Sequence, residues 1–234
     1  GGEPMLNGNW YEILEYSKNQ GAEDNEIFTN GLLLTRSNCR KLIRVVDRIN
    51  FHLDSIFPET FGALQINRRN AEELHQRILD GINNLFDEGF NPMKIRWNIT
   101  LTKSSLKDIF DTIEYAIKKK GVKTMNIIPL FKCGRGVSVF GQEHPSKTDM
   151  RRAFHIRAKL ENRPFLLRLG PSEYCKQYQL TSFTINHEGN VFPYVDYFVS
   201  CGNIYADKIT GILERNFNLL SFRELVSADT FSNN

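Results

Sequence analysis

The chain has 234 residues, of which 41% are hydrophobic, so it is long enough to bury one substantial core and carry an appendage. Thirty basic and 27 acidic residues leave a formal charge of +3, far from the basic excess of a dedicated nucleic-acid-binding protein. No apolar run is long enough to cross a bilayer and no signal peptide is visible, so we expect a cytoplasmic protein with neither a nucleic-acid nor a membrane partner.

Helix and strand patterns alternate along the first half of the chain. The opening Gly1-Gly2-Glu3-Pro4 is typical of a turn after a strand, so we expect the natural N-terminus to lie upstream. The spacing then predicts helices over Leu6–Gln20, Asn38–Ile49, Glu72–Glu88 and from Ser104 or Ser105 to Gly121, and strands over Glu26–Thr29, Asn50–Leu53, Met93–Leu101 and Thr124–Phe131. This alternation predicts right-handed βαβ crossovers and a parallel sheet, either open or closed into a (β/α) barrel.

The alternation stops after residue 132. A loop at Cys133–Gly136 and a polar segment through Ser146 precede a predicted helix over Asp149–Glu161. The pair Glu188-Gly189 predicts a hairpin between strands over Gln179–Asn186 and Asn190–Tyr194, and apolar residues from Ile209 to Leu225 predict one or two closing helices. We therefore expect one domain over residues 1–140 and a second over residues 141–234.

Polar residues follow several of the predicted strands. In parallel α/β folds the C-terminal ends of the strands open towards a shared cleft, which makes these residues candidates for ligand binding. They are Gly1 to Glu3, Asn30, Asp54, Asn98 to Thr102 and Pro129 to Gly136. Taken singly, each is more often structural, because Gly-Gly and Asn-Gly form turns and a strand-end Asp caps the next element.

The order of three motifs is more specific than any one of them. Gly1-Gly2-Glu3-Pro4 precedes a helix, one strand runs into Thr29-Asn30-Gly31, and the next ends at Leu53-Asp54-Ser55. In this order the motifs resemble the radical S-adenosylmethionine (SAM) superfamily. The resemblance implies a partial (β/α)6 barrel that lacks the first strand and the cluster loop, followed by a small α+β extension similar to SPASM and twitch domains.

The resemblance also implies a set of cofactor-binding residues. Gly1, Gly2 and Glu3, with Pro4, would hold the amino group of the methionine moiety, and the carbonyls and carboxylate of this segment suit an ammonium ion. Later strand ends would bind the carboxylate, the ribose and the adenine through Asn30, His52, Asp54, Asn98, Thr100 and Ile128. His52 stands where the family commonly has serine, and a lone histidine is as often a structural residue.

The C-terminal part carries the likeness to SPASM and twitch extensions. Cys175, Gly189 and Tyr194 follow their cysteine, glycine and cysteine spacing, with tyrosine in place of the second cysteine. Because a phenol does not replace a thiolate in four-cysteine coordination, we favour an extension without an auxiliary cluster. The open alternative is a vestigial cluster held by Cys175 and Cys201, in which Cys133 adds a third ligand.

The chain lacks the CxxxCxxC motif that holds the four-iron, four-sulfur (4Fe-4S) cluster of the family. The resemblance therefore implies that the cluster and its ligands belong to a longer parent, which would cleave SAM to a 5′-deoxyadenosyl radical for hydrogen abstraction. The SPASM-like extension favours a peptide or small-protein substrate, and the electron donor would be a flavodoxin or ferredoxin.

The sequence leaves two other functions open. A non-catalytic scaffold or binding subunit derived from the same fold would lack the cysteines natively. An unrelated α/β nucleotide-binding protein is disfavoured because the chain has neither a Walker A pattern nor GxGxxG.

Overall fold

A computed structural model describes residues 2–64, 70–132, 134, 136–160, 166–169, 183–193 and 199–216. The chain forms two compact units, residues 1–170 and residues 171–234. The predicted domain boundary near residue 140 lies inside the first unit. Among the helices of the described segments, none has the length and apolarity that a bilayer crossing requires.

The first unit is built on a parallel sheet of five strands. They are β1 (Glu26–Thr29), β2 (Arg48–His52), β3 (Ile95–Leu101), β4 (Thr124–Pro129) and β5 (Leu166–Leu169). The strands lie side by side in chain order and every neighbouring pair is parallel. Crossovers that always step in the same direction form the wall of a (β/α) barrel, which confirms the predicted fold class for this unit. β5, which the sequence pattern had not predicted, extends this wall.

Within the described residues of the first unit, seven helices accompany the strands. They are α1 (Trp10–Asn19), α2 (Arg36–Val45), α3 (Pro58–Leu64), α4 (Ala71–Asp87), α5 (Ile109–Glu114), α6 (Gly136–Glu143) and α7 (Lys147–Leu160). Short 3-10 turns lie at Pro4–Leu6, Pro92–Lys94 and Ser105–Lys107, and a π-helical turn over Tyr115–Lys119 continues α5. The short helices α3 and α6 were not predicted, since neither is long enough to show a helical repeat of apolar residues.

The predicted helix over Asn38–Ile49 is wrong at its C-terminal end. α2 ends at Val45, Val46 is extended, and Ile49 lies in β2, where it pairs with Ile27 and Ile95. The helix stops because the side-chain amide of Asn25 donates to the Val45 carbonyl at 2.9 Å and so satisfies an acceptor of its last turn. Val46 and Ile49 continue the apolar spacing of the helix beyond its end, although Val46 is extended and Ile49 lies in β2.

The two faces of the sheet differ in polarity. Because side chains alternate along a strand, odd-numbered residues of β2 and β3 face one side and even-numbered residues the other. The odd face is buried with the helices in one core, which contains Ile49, Phe51, Ile95, Trp97, Ile99, Leu101, Ile78, Ile82, Leu85, Ile109 and Ile113. The even face carries Asn50, His52, Arg96, Asn98 and Thr100. We call this side of the sheet the polar face, and the candidate site lies on it.

The turn after β1 depends on a glycine. Gly31 has φ +83°, and a Cβ there would lie 2.6 Å from Cε2 of the Phe51 ring. Gly21 has φ +88° with nothing within 4 Å, so Gly21→Ala tests the backbone conformation alone. We expect Gly21→Ala to destabilise the protein by about 1–2 kcal/mol and Gly31→Ala by roughly 1–3 kcal/mol more, because the new methyl group overpacks the core. Urea denaturation measures both, and equal losses would contradict the close approach.

The second unit contains a small antiparallel sheet. Its strands are β6 (Thr184–Ile185), β7 (Asn190–Phe192) and β8 (Gly202–Asn203). β6 and β7 form the predicted hairpin, in which Gly189 adopts φ +82°. Residues 179–182 and 194 of the two predicted strands lie outside the described residues. Val191, Cys201 and Ile212 form a small core, and Ile212 belongs to a helix over residues 209–216.

Candidate functional site

Most of the predicted site residues lie at the C-terminal ends of neighbouring strands. His52 pairs in register with Asn98, and Thr100 pairs with Ile128, so these four side chains share the polar face. Thr29 pairs with Phe51, and Asn30 and His52 each follow by one residue. The fold therefore gathers residues that are far apart in the sequence on four adjacent strands, β1 to β4.

The N-terminal segment is attached to the end of β1. The carboxylate of Glu3 accepts hydrogen bonds from the Thr29 hydroxyl at 2.9 Å and from the Asn30 backbone N–H at 2.9 Å. Gly2 precedes it with φ +121°, and Pro4 begins the 3-10 turn. Glu3 therefore holds the N-terminal segment at the end of β1 and also supplies the acidic group of that segment. Gly1 lies outside the described residues, and the predicted contact with an ammonium group stays a prediction.

His52, Asp54 and Thr100 form a hydrogen-bonded cluster. Nε2 of His52 lies 2.9 Å from Oδ1 of Asp54 and 3.2 Å from Oγ1 of Thr100. The same Asp54 oxygen accepts the Thr100 backbone N–H at 2.6 Å. The His52 side chain is 48% exposed and that of Asp54 is 17% exposed. The cluster therefore joins the ends of β2 and β3 and presents an accessible imidazole to the polar face.

The cluster changes the pKa values of both ionisable members. The negative charge of Asp54 raises the pKa of His52 above its ordinary value, and the hydrogen bond between them acts in the same direction against the effect of burial. Burial by itself would raise the pKa of Asp54. The charge and hydrogen bond of His52, with the hydrogen bonds from Thr100, outweigh burial, so the pKa of Asp54 is lowered.

These shifts predict how the pair contributes to stability at different pH. A raised histidine pKa stabilises the fold below the ordinary value of 6.5 and loses that effect as the pH rises through the folded value. A lowered aspartate pKa stabilises it above the ordinary value of 3.8 and loses that effect as the pH falls. The difference in free energy of unfolding between wild type and His52→Gln should therefore be greatest at about pH 5, between the two ordinary values.

Urea denaturation of both proteins across the pH range measures this difference. His187→Gln is the matched control, because the side chain of His187 is 89% exposed and lies in the second unit. A His52→Gln difference that does not vary with pH would show that the pair makes no ionic contribution to the folded state.

A row of polar side chains continues the site towards the N-terminal ends of the strands. Asn126 donates to Oδ1 of Asn98 at 2.8 Å, Asn98 donates to Oδ1 of Asn50 at 3.4 Å, and Glu26 accepts from Arg96 at 3.0 Å. Sequence reasoning selected Asn98 but missed the others. Their signal was the alternation of polar and apolar residues in β2 and β3, but the partners depend on the register between strands.

A comparison with protein families identifies the chain. A family model described as the Radical SAM superfamily matches residues 1–115, which include the N-terminal segment and β1 to β3. Residues 1–115 belong to the radical SAM superfamily.

Two curated relatives are archaeal proteins named probable GTP 3′,8-cyclase. The protein of Saccharolobus islandicus strain Y.N.15.51 is 31% identical over 144 residues, which cover 62% of this chain and 44% of the relative. That of Methanothermobacter thermautotrophicus is 30% identical over 132 residues, covering 56% and 41%. The chain thus spans less than half the length of the curated relatives it matches.

Solved radical SAM structures share the fold. A structure of anSMEcpe with bound AdoMet (SAM) has a TM-score of 0.62 and 15% identity, covering 93% of this chain and 66% of that one. SuiB of Streptococcus suis bound to S-adenosylmethionine has a TM-score of 0.63 and 15% identity, covering 89% and 52%. At this identity the likeness shows the barrel fold alone, and the SPASM-like extension stays a prediction.

Members of the radical SAM superfamily use SAM and a 4Fe-4S cluster. The hydrogen-bonding side chains of the polar face fit SAM. An imidazole, a hydroxyl and a carboxylate at the strand ends are suited to the charged and hydroxyl groups of SAM. The predicted contact between half-buried Ile128 and adenine stays a prediction. Asn126 Oδ1 is buried without a hydrogen-bond partner among the described residues, so one acceptor in this row of polar side chains is left unsatisfied.

The two cysteines within the described residues, Cys39 and Cys201, do not fit a 4Fe-4S cluster. Cys39 is fully buried in α2, and burial raises the pKa of its thiol to about 12. Cys201 is buried beside Val191, burial raises its pKa, and its thiol lies 3.6 Å from Oδ1 of Asn216. Cys133 and Cys175 lie outside the described residues.

Within the described segments, no group of three or more histidine, cysteine, aspartate and glutamate side chains is arranged to hold a metal ion. Metal binding by Cys175 and Cys201 stays a prediction.

Proposed function

We propose that this chain forms the SAM-binding face of an enzyme that reductively cleaves SAM and uses the 5′-deoxyadenosyl radical to abstract hydrogen from a substrate. The observation that carries the proposal is the convergence of polar strand ends, above all His52, Asp54 and Thr100, on one face of a parallel sheet. The cofactors supply electron transfer and radical formation, and this chain supplies binding and orientation.

Each predicted residue has a role in binding. Carbonyl groups of Gly1 and Gly2, next to the Glu3 carboxylate, accept hydrogen bonds from the ammonium group of SAM, and Pro4 fixes the direction of the segment. The side chains that bind carboxylate and ribose groups are those of Asn30, His52, Asp54, Asn98 and Thr100, and Ile128 packs against the adenine. The anchoring of Glu3 by Thr29 and Asn30 supports the first role, because it holds Glu3 at the end of β1.

The substrate is the open part of this proposal. GTP is the first candidate, because the curated relatives with about a third identity are named as GTP 3′,8-cyclases. A peptide is the second, favoured by the SPASM-like spacing of the C-terminal part. One structure with the same fold, anSMEcpe with bound AdoMet and Kp18Cys peptide, holds a peptide at 15% identity, a TM-score of 0.58 and coverage of 93% of this chain and 67% of that one.

The test is anaerobic SAM cleavage by the full-length protein reconstituted with iron and sulfide. A flavodoxin, a ferredoxin or a chemical reductant supplies electrons, and 5′-deoxyadenosine is quantified by chromatography. We expect its formation to depend on the reductant and to increase with the true substrate. Parallel reactions with GTP and with a peptide library distinguish the two substrate classes.

The same assay separates the other functions. SAM binding without any 5′-deoxyadenosine would contradict an enzyme and favour a scaffold of the same fold. Tight nucleotide binding by the chain alone, without cluster and without SAM cleavage, would favour a nucleotide-binding protein.

A further inference from the structure

The imidazole of His52 has one ring nitrogen engaged and one available. Nε2 lies within hydrogen-bond distance of Asp54 and Thr100, whereas no hydrogen bond to Nδ1 is formed within the described residues. The side chain is 48% exposed and lies on the polar face between β1 and β3. Nδ1 is therefore accessible to a ligand at the strand ends.

The neighbours of His52 determine which nitrogen carries a proton. An ionised Asp54 only accepts hydrogen bonds, so Nε2 at 2.9 Å must carry a hydrogen and donate it. In the neutral ring Nδ1 is then an acceptor, and in the imidazolium it is a donor. Because the Thr100 backbone N–H also binds Asp54 Oδ1, the carboxylate is held in position and the ring with it.

Other charged groups near this face already have partners. Glu26 on β1 and Arg96 on β3 are paired at 3.0 Å, and Arg48 at the start of β2 is paired with Asp24. Glu3 at the end of β1 is bound by Thr29 and Asn30. Among the described residues at the strand ends around His52, the charge that can appear or vanish near neutral pH is that of His52 itself.

We infer that Nδ1 of His52 binds an anionic oxygen of the ligand and that the ligand binds together with one proton. The inference rests on the proposed function, because it assumes that a ligand occupies the polar face. The proton comes from solvent and stays on the imidazole, Nδ1–H donates to the anionic oxygen, and no covalent bond changes. In this contact Asp54 acts through His52, since it fixes the tautomer that leaves Nδ1 towards the ligand. Its charge also raises the pKa of His52, which keeps the imidazolium populated near neutral pH.

The ligand chemistry that fits is a carboxylate or a phosphate. Both present oxygen atoms that accept a charge-assisted hydrogen bond from an imidazolium. SAM carries only a carboxylate as an anionic group, whereas GTP carries phosphates. Titrations with SAM and with GTP therefore distinguish a bound carboxylate from a bound phosphate. A proton-linked ligand shows an affinity that weakens as His52 loses its charge.

The test is calorimetric titration of the oxidised, reconstituted full-length protein, in which SAM binds without being cleaved. SAM and GTP are titrated separately between about pH 6 and pH 9, which brackets the ordinary range of histidine. For the ligand that contacts Nδ1, we expect the wild-type Kd to weaken by up to about tenfold per pH unit above the pKa of His52. His52→Gln should remove this slope, and Asp54→Asn should move its onset to lower pH.

His187→Gln is the matched control and should keep the wild-type pH profile. NMR titration of the imidazole rings in the cluster-free chain provides a second readout, in which Asp54→Asn should lower the pKa of His52. A wild-type slope that persists in His52→Gln for both ligands, or a pKa of His52 that does not respond to Asp54→Asn, would overturn the inference. Proton-linked binding without SAM cleavage would leave the inference standing and refute the proposed function.

Discussion

The Glu3→Ala plus Asn98→Ala double variant of the full-length protein is expected to lose its affinity for SAM by about 100-fold or more and to lose SAM cleavage with it. Each change removes a group that binds a charged or polar part of the ligand, and such hydrogen bonds contribute roughly 1.5–3 kcal/mol each. Glu3→Ala also releases the N-terminal segment from Thr29 and Asn30. Calorimetric binding and 5′-deoxyadenosine formation measure the two effects, and unchanged affinity would refute both assignments.

In this variant, a loss of SAM affinity can come from a lost contact with the ligand or from a change in the protein structure, and the two causes have to be separated. The Asn98 side chain accepts a hydrogen bond from Asn126 at 2.8 Å, so its removal also leaves the Asn126 amide without that acceptor. Asn126→Ala breaks the same bond from the other side and keeps Asn98. If Asn126→Ala weakens SAM binding as much as Asn98→Ala, then Asn98 acts through the polar row and does not contact the ligand. Glu12→Ala plus Asn19→Ala, at exposed positions of α1, is the control for the mutations themselves.

Trp97→Ala is expected to destabilise the fold by about 3–5 kcal/mol, at the upper end of the range for single substitutions in a core. Trp97 is fully buried at the centre of β3 and packs edge-on against Phe51 and Tyr115, with ring centroids at 4.8 Å and 6.4 Å. Its indole N–H donates to the Leu53 carbonyl at 2.9 Å. The free energy of unfolding from urea denaturation, followed by circular dichroism, measures the loss.

Trp97→Phe separates the hydrogen bond from the packing. It keeps most of the ring and leaves the Leu53 carbonyl without the indole donor, which should cost about 1–3 kcal/mol. Because Leu53 directly precedes Asp54, this variant should also loosen the cluster of His52, Asp54 and Thr100. Tyr16→Ala, at a side chain that is largely exposed in α1, should change stability by no more than about 0.5 kcal/mol. A Trp97→Ala protein as stable as Tyr16→Ala would contradict the close packing of the indole ring.

The parallel α/β architecture was readable from local patterns. The repeat of apolar residues in α4 and the alternation in β3 depend only on the period of each element, and both were placed within two residues of their ends. The error at α2 had a different origin, because Val46 and Ile49 continued a helical repeat that the Asn25 side chain interrupts. A contact between residues twenty positions apart in the chain decided that boundary.

The candidate site was partly readable for the same reason. In a parallel sheet the strand ends meet at one edge, so the positions of Asn30, His52, Asp54 and Asn98 after or within predicted strands were sufficient to group them. Their partners were not readable. The sequence indicated neither that Glu3 binds Thr29 and Asn30, nor that His52 and Asp54 meet Thr100, because these bonds depend on the register of β1, β2 and β3.

By itself, then, the sequence determined the kind of each main element, the superfamily and the group of strand-end residues, since these follow from periodicity and from the order of short motifs. Only the tertiary structure decided which groups are already hydrogen-bonded and which atoms remain accessible. That difference leaves Nδ1 of His52 available while Cys39 and Cys201 are enclosed. Hydrogen bonding and burial are properties of neighbours in space, and those neighbours come from different strands and helices.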